Sequence, residues 1–243
     1  MSDTSDRPEG DGTAPGLSRR GLIVTAGKTA ALGAALTTGG VALPAAAVGA
    51  AGEGAVASGP KGAAAFEFVG QILQNGGHME GYGFVTEAAG LDDTWLFADP
   101  AHVAEHSEQS ARLTVFGEVT LQSRTARANV FVLDAIGGLA VHLQDVPGAD
   151  FGDLASFTAG RVVARYSMRL RDVLTVIAPN EGIPTLTGEL TQVEASGFSL
   201  NGRSRKFGTK GMRLTLEGTG HGVRQQADPP IATIDLAARL TVA

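Results

Sequence analysis

The end of the chain alternates. Ile234, Leu236, Ala238, Leu240 and Val242 interleave with Thr233, Asp235, Ala237, Arg239 and Thr241. A period of two sends successive side chains to opposite faces of an extended strand, so one face is apolar and the other polar. The pattern recurs upstream. Leu113, Val115, Gly117, Val119 and Leu121 mark one strand. Val162, Ala164, Tyr166, Met168 and Leu170 mark another, against Arg161, Arg165 and Arg169 in the opposite phase. Residues 66–73, 78–86, 129–133, 139–143, 186–193 and 211–216 read as further strands. Turn signals separate many of them, among them Asn75-Gly76-Gly77, Gly137-Gly138, Pro179-Asn180-Glu181-Gly182 and Asn201-Gly202. No stretch carries the 3.6-residue period of a long amphipathic helix. Strands that each bury one face must also hide their edges, most simply by closing on themselves. The expected fold is therefore all-β, a single antiparallel β-barrel, with a β-sandwich as the alternative. One Trp and two Tyr cannot build the two aromatic girdles of an outer-membrane barrel, so a soluble barrel is expected.

The first 65 residues follow different rules. Leu17-Ser18-Arg19-Arg20-Gly21-Leu22-Ile23 opens a weakly apolar run diluted by Gly and Thr, which closes with Pro44-Ala45-Ala46-Ala47. This has the form of a twin-arginine (Tat) signal peptide, with Arg19 and Arg20 as the export signal and small residues at the cleavage site. The expected organisation is a signal over 1–47, a Gly/Ala-rich linker over 48–65 and a β-barrel domain over 66–243. It implies a secreted, extracytoplasmic protein, the Tat export machinery as a partner, and no permanent membrane span in the mature form. Ala26-Gly27-Lys28-Thr29 mimics the end of a phosphate-binding loop, but Leu22 stands where that loop needs its first glycine.

Composition removes several function classes. There is no cysteine, which excludes disulfides, thiolate metal sites, iron–sulfur clusters and a Cys nucleophile. A net charge of −6 without a dense basic block argues against nucleic acid as a partner. The short cluster Arg203, Arg205, Lys206, Lys210 and Arg213 reads as a solvated turn. No cofactor and no metal site is expected. His102-Val103-Ala104-Glu105-His106 fits the H-x-x-E-H zinc pattern, yet lacks the long helix and later acidic ligand that chemistry needs. The nucleophile elbow G-x-S-x-G is absent. Gly218-Thr219-Gly220-His221-Gly222 reads as a flexible loop rather than a nucleotide fingerprint. His142 sits in the polar phase of its strand and is expected to be exposed.

The ligand-binding candidates are His78, Glu80, Tyr82 and Tyr166. The first three share one face of a strand at spacing two. Facing a cavity, they would bring an acid/base pair and a phenol together for proton transfer. Tyr166 lies in the apolar phase, where its hydroxyl needs a partner.

The run from Phe157-Thr158-Ala159-Gly160 through Leu174-Thr175-Val176 to Gly208-Thr209-Lys210-Gly211 resembles the allene oxide cyclase and dirigent class of small extracellular barrels. It shares a glycine before a long strand, a hydrophobic strand after it, and a Gly-x-x-Gly turn near the C-terminus. The resemblance implies a central cavity for an apolar or phenolic small molecule, and it carries over no catalytic residue. The leading expectation is a protein that binds a small hydrophobic ligand in the barrel interior. The alternatives are a cofactor-independent cyclase or isomerase acting in that cavity, and a cell-envelope or matrix structural protein.

Overall fold

Alternating burial runs through the longest strands, and it sorts the chain into an apolar inner face and a polar outer one. The computed structural model describes residues 54–200 and 202–243. The signal expected over 1–47, its Arg19-Arg20 pair, the first part of the expected linker and Asn201 lie outside the described residues. Twelve strands follow in order: β1 (Ala55–Val56), β2 (Ala64–Asn75), β3 (His78–Ala88), β4 (Leu113–Arg127), β5 (Val130–Leu143), β6 (Arg161–Ala178), β7 (Glu181–Ile183), β8 (Thr185–Ala195), β9 (Gly197–Leu200), β10 (Arg203–Phe207), β11 (Arg213–Ala227) and β12 (Pro230–Val242). Among the described residues helix is confined to α1 (Asp93–Leu96) and two 3-10 turns, Val103–Glu105 and Leu154–Thr158.

The protein is all-β, built on a nine-stranded antiparallel sheet. β2 to β6 pair in sequence as a meander. β6 then pairs with β7 and β8, β8 with β11, β11 with β12, and β12 with β2. The turns follow their residues. Gly76 takes φ +62° between β2 and β3, and Asn180 takes φ +66° between β6 and β7, both in the left-handed region that Gly and Asn tolerate best.

The inner face carries the core. Phe66, Leu113, Leu143, Leu190, Leu214 and Leu240 are fully buried there. Burial of each contributes about 1.5–3 kcal/mol. A second, three-stranded sheet, β1-β10-β9, brings Val56, Phe198 and Phe207 into the same core, together with Trp95 and Leu96 of α1. The Phe66 and Phe207 rings meet edge to face at 5.3 Å.

Four expectations change here. The stretch expected as linker over 48–65 enters the fold from Gly54 onward: β1 runs parallel to β10, and Val56 and Ala57 are buried. Glycine richness concealed this, because two small apolar residues suffice to fill the space they occupy. The loop expected over 218–222 is the middle of β11. A Cβ on Gly220 would lie 2.0 Å from the Asp235 carbonyl oxygen, so glycine here marks close approach to β12 and not a loop. The paired glycines Gly70 and Gly83 do the same for β2 and β3. The basic cluster is only partly a turn: Arg203, Arg205 and Lys206 stand on strand β10, with the Arg205 guanidinium over the Trp95 ring at 5.2 Å, Arg213 opens β11, and Lys210 lies in the exposed turn between them. His142 is buried, and its Nδ1 lies 3.1 Å from the Gly160 carbonyl oxygen. Loss of hydration pushes its pKa down.

The outward phase of β3, β4 and β5 is buried at one end of the sheet, at Tyr82, Thr114, Ala140 and His142, and the segment 144–158 lies over Tyr82 and Thr114. Phe151, Leu154 and Phe157 pack on Tyr82 and Phe116. Buried polar bonds fix the segment in place: the Thr114 hydroxyl and the Gln144 amide both donate to the Phe157 carbonyl, at 2.7 and 3.4 Å.

Candidate functional site

A narrow apolar cavity lies on the inner face. Strands β2, β3, β4, β5, β6, β8, β11 and β12 all contribute to its wall, with Ile72, Met79, Leu139, Met168, Leu186 and Leu236 among the lining side chains. Glycines in the inward phase leave the space open. At Gly117 an added Cβ would come within 3.1 Å of the Leu139 side chain. The cavity volume is about 60 Å³. A buried water takes roughly 10–15 Å³ on this scale, so the cavity holds the bulk of about four to six waters, comparable to a six-carbon chain or ring. Two methionines in the wall allow further adjustment, since an unbranched thioether repacks at little cost.

Asp172 stands just beyond the residues that line this cavity. It follows Leu170 by two positions on β6, hence on the same face, and its partner across the ladder is Leu186. Both leucines line the cavity. Asp172 is 6% exposed, and among the described residues it is the one buried carboxylate. Its Oδ1 accepts the Thr185 N–H at 3.0 Å. No other hydrogen bond or ion pair reaches it from the described residues. Burial pushes its pKa up to about 6, partly offset by the Thr185 bond.

The sequence-expected candidates do not converge on one site. His78 and Glu80 lie on the outer face, His78 exposed and Glu80 half-buried, with His78 Nε2 3.9 Å from Glu80 Oε1. Tyr82 shares their face but is buried under the segment 144–158, its ring 5.1 Å from Phe157 and 5.8 Å from Phe151. Its hydroxyl donates to Gln71 Oε1 at 2.6 Å, and Gln71 Nε2 donates to Asp235 Oδ1 at 2.9 Å. Gln71 and Tyr82 border the cavity beside Gly81. Burial first, then the Asp235 and Glu80 charges, raise the Tyr82 pKa. Tyr166 lies on the inner face, 6.3 Å from Phe66 ring to ring, and its buried hydroxyl has no hydrogen-bond partner. Burial drives its pKa well up. The alternation in β3 is as expected; what the pattern leaves out is that 144–158 covers the Tyr82 end of that face and leaves His78 in water.

Two histidine groups complete the inventory. Glu118 on β4 is the cross-strand partner of Glu80, and ligating atoms of His78, Glu80 and Glu118 lie within 4.8 Å of one another on the outer face. In the H-x-x-E-H stretch, His102 Nδ1 pairs with Asp99 Oδ2 at 2.7 Å, whereas the His106 ring stacks on Phe97 at 3.9 Å. The two rings serve separate neighbours around a short 3-10 turn, so they do not form the paired ligand face of a zinc-protease helix.

Sequence reasoning missed Asp172. The signal was present: it occupies the apolar phase that begins at Val162, where a carboxylate breaks the pattern.

No family model, curated protein or solved structure matches this chain. The functional reading therefore rests on the geometry alone.

Proposed function

We propose that the sheet closes as a β-barrel and that the protein binds a small, slender apolar molecule in the barrel interior. The observation that carries this reading is the apolar cavity walled by eight strands. Closure is supported by the ladder between β11 and β12, which runs from Leu214 opposite Val242 to Ala227 opposite Pro230 and joins the last strand to both β11 and β2. A cavity of this size is too small for a large lipid and suits a compact hydrocarbon group.

Cofactor-free catalysis in the cavity has less support. His78 and Glu80, its expected acid/base pair, lie on the face opposite the cavity-lining Met79 and Gly81.

Native mass spectrometry of protein isolated from its own cells is expected to reveal a noncovalently bound small molecule. Ala238→Leu puts three further carbons into the cavity wall and is expected to abolish that adduct. Overfilling a packed interior costs about 1–3 kcal/mol, which leaves the fold intact. Wild-type protein that flies only as the bare chain, both from its cells and after incubation with 1-hexanol, would defeat the reading.

Export is part of the same proposal. Replacing Arg19 and Arg20 together by lysine is expected to leave the protein in the cytoplasm, as read by cell fractionation. Unchanged export would remove the twin-arginine assignment.

A further inference from the structure

We propose that Asp172 is the polar anchor of the cavity and that the ligand is an apolar amine, its hydrocarbon part in the cavity and its ammonium group on Asp172. The inference rests on the ligand-binding reading and gives it a chemical class.

Three observations carry it. The carboxylate is buried, and it stands directly behind two cavity walls: Leu170 is two positions away on the same face of β6, and Leu186 is its partner across the ladder. The described residues supply it with one backbone N–H and no cation. The charged side chains of the surrounding strands point away from it: Arg169 and Arg171 on β6, Glu189 on β8, Glu217 on β11 and Asp235 on β12 all take the outward phase, and Arg171 is engaged by Asp134 of β5 at 2.9 Å. A buried carboxylate left without a counter-charge is a standing cost to the fold.

Ligand class follows from that deficit. A carboxylate only accepts hydrogen bonds, so its complement must donate, and an ammonium group donates while also cancelling the charge. A neutral hydroxyl offers one donor and no charge. A carboxylate ligand would set two like charges together in an apolar surrounding, which is strongly unfavourable. The cavity limits the hydrocarbon part to about six carbons.

The test uses the whole protein and three probes of equal chain length: n-hexylamine, 1-hexanol and hexanoate. Binding is followed by isothermal titration calorimetry at pH 7.5. In wild type, hexylamine is expected to bind at least tenfold more tightly than 1-hexanol, with no binding of hexanoate. In Asp172→Asn, which keeps an oxygen for the Thr185 N–H, the preference for the amine is expected to vanish while 1-hexanol still binds. Equal affinity for hexylamine and 1-hexanol in wild type would overturn the role of Asp172 and leave the cavity reading standing. If none of the three probes binds wild type, both fall. The comparison among probes on wild type decides the matter even without the variant.

Discussion

Asp172→Asn is expected to stabilise the protein by about 1–3 kcal/mol at pH 8 and to change its stability little at pH 4. In the native state burial pushes the Asp172 carboxyl up to about 6, from an ordinary value of 3.8. Below about pH 4 the group is protonated in both the folded and the unfolded chain, and its burial carries no ionic cost. As the pH rises from 4 to 6, the unfolded chain releases its proton readily while the folded chain holds it. Folding then binds a proton, and stability is lost through that window. Above pH 6 the folded protein carries the buried charge and the penalty is constant. The rise from 3.8 to about 6 corresponds to about 3 kcal/mol, an upper value because water and small rearrangements soften the field around the group. Asparagine retains an acceptor for Thr185 and removes the charge, so it keeps the structural bond and drops the penalty. Urea unfolding of both proteins at pH 4 and pH 8 measures the difference. A gain of the same size at both pH values would mean that packing, not ionisation, separates the two side chains.

A buried carboxylate that weakens the fold at neutral pH and stands next to cavity-lining residues is a place where stability can be given up for a function. The sequence carries part of this. Alternation in β6 places Met168 and Leu170 inward and Arg169 outward, and that much can be read from residue order. The same alternation continues to Asp172. A reading that takes polarity as the sign of an outward face breaks the strand there instead of carrying its phase through. Period two is a statement about geometry, and hydrophobicity only reports it; the two part company at Asp172. His142 and Tyr82 fail for a complementary reason. Each is in the outward phase of its strand, and outward equals exposed only where nothing covers the sheet. The segment 144–158 that covers Tyr82 has no period of its own, and its grip depends on long-range pairs such as Thr114 with Phe157 and Gln144 with Phe157, which local patterns cannot foresee; His142 meets the Gly160 carbonyl just past its end. Glycines misled in the opposite direction. In 218–222 they mark a strand pressed against its neighbour, and in Gly54 to Ala57 they conceal a strand that enters the core. Around Tyr82, His142 and Asp172 the strand was legible and what lies against it was not; at 218–222 and 55–56 the strand itself was missed.

The covering segment supplies the other large effect. Phe157→Ala is expected to cost about 3–5 kcal/mol, the range for removing a buried aromatic ring from a packed site. Phe157 is fully buried, and its ring meets Tyr82 at 5.1 Å and Phe151 at 5.0 Å, so three aromatic contacts share one small cluster. The site has little freedom to collapse, because the Phe157 carbonyl stays tied to Thr114 and Gln144 while the ring is gone. The space left behind lies directly over Tyr82. Water then reaches a phenol whose pKa is raised chiefly by burial, and the pKa falls back toward its ordinary value of 10.0. The chain has two tyrosines, Tyr82 and Tyr166, and the second is held in the core on the other face of the sheet. An absorbance titration in the alkaline range therefore separates the two outcomes. In Phe157→Ala one tyrosine is expected to ionise at lower pH than in wild type while the other stays resistant, alongside the fall in unfolding free energy. A loss below about 1 kcal/mol with an unchanged titration would mean that the segment 144–158 rests on the sheet without holding it, and the buried state of Tyr82 would need another cause.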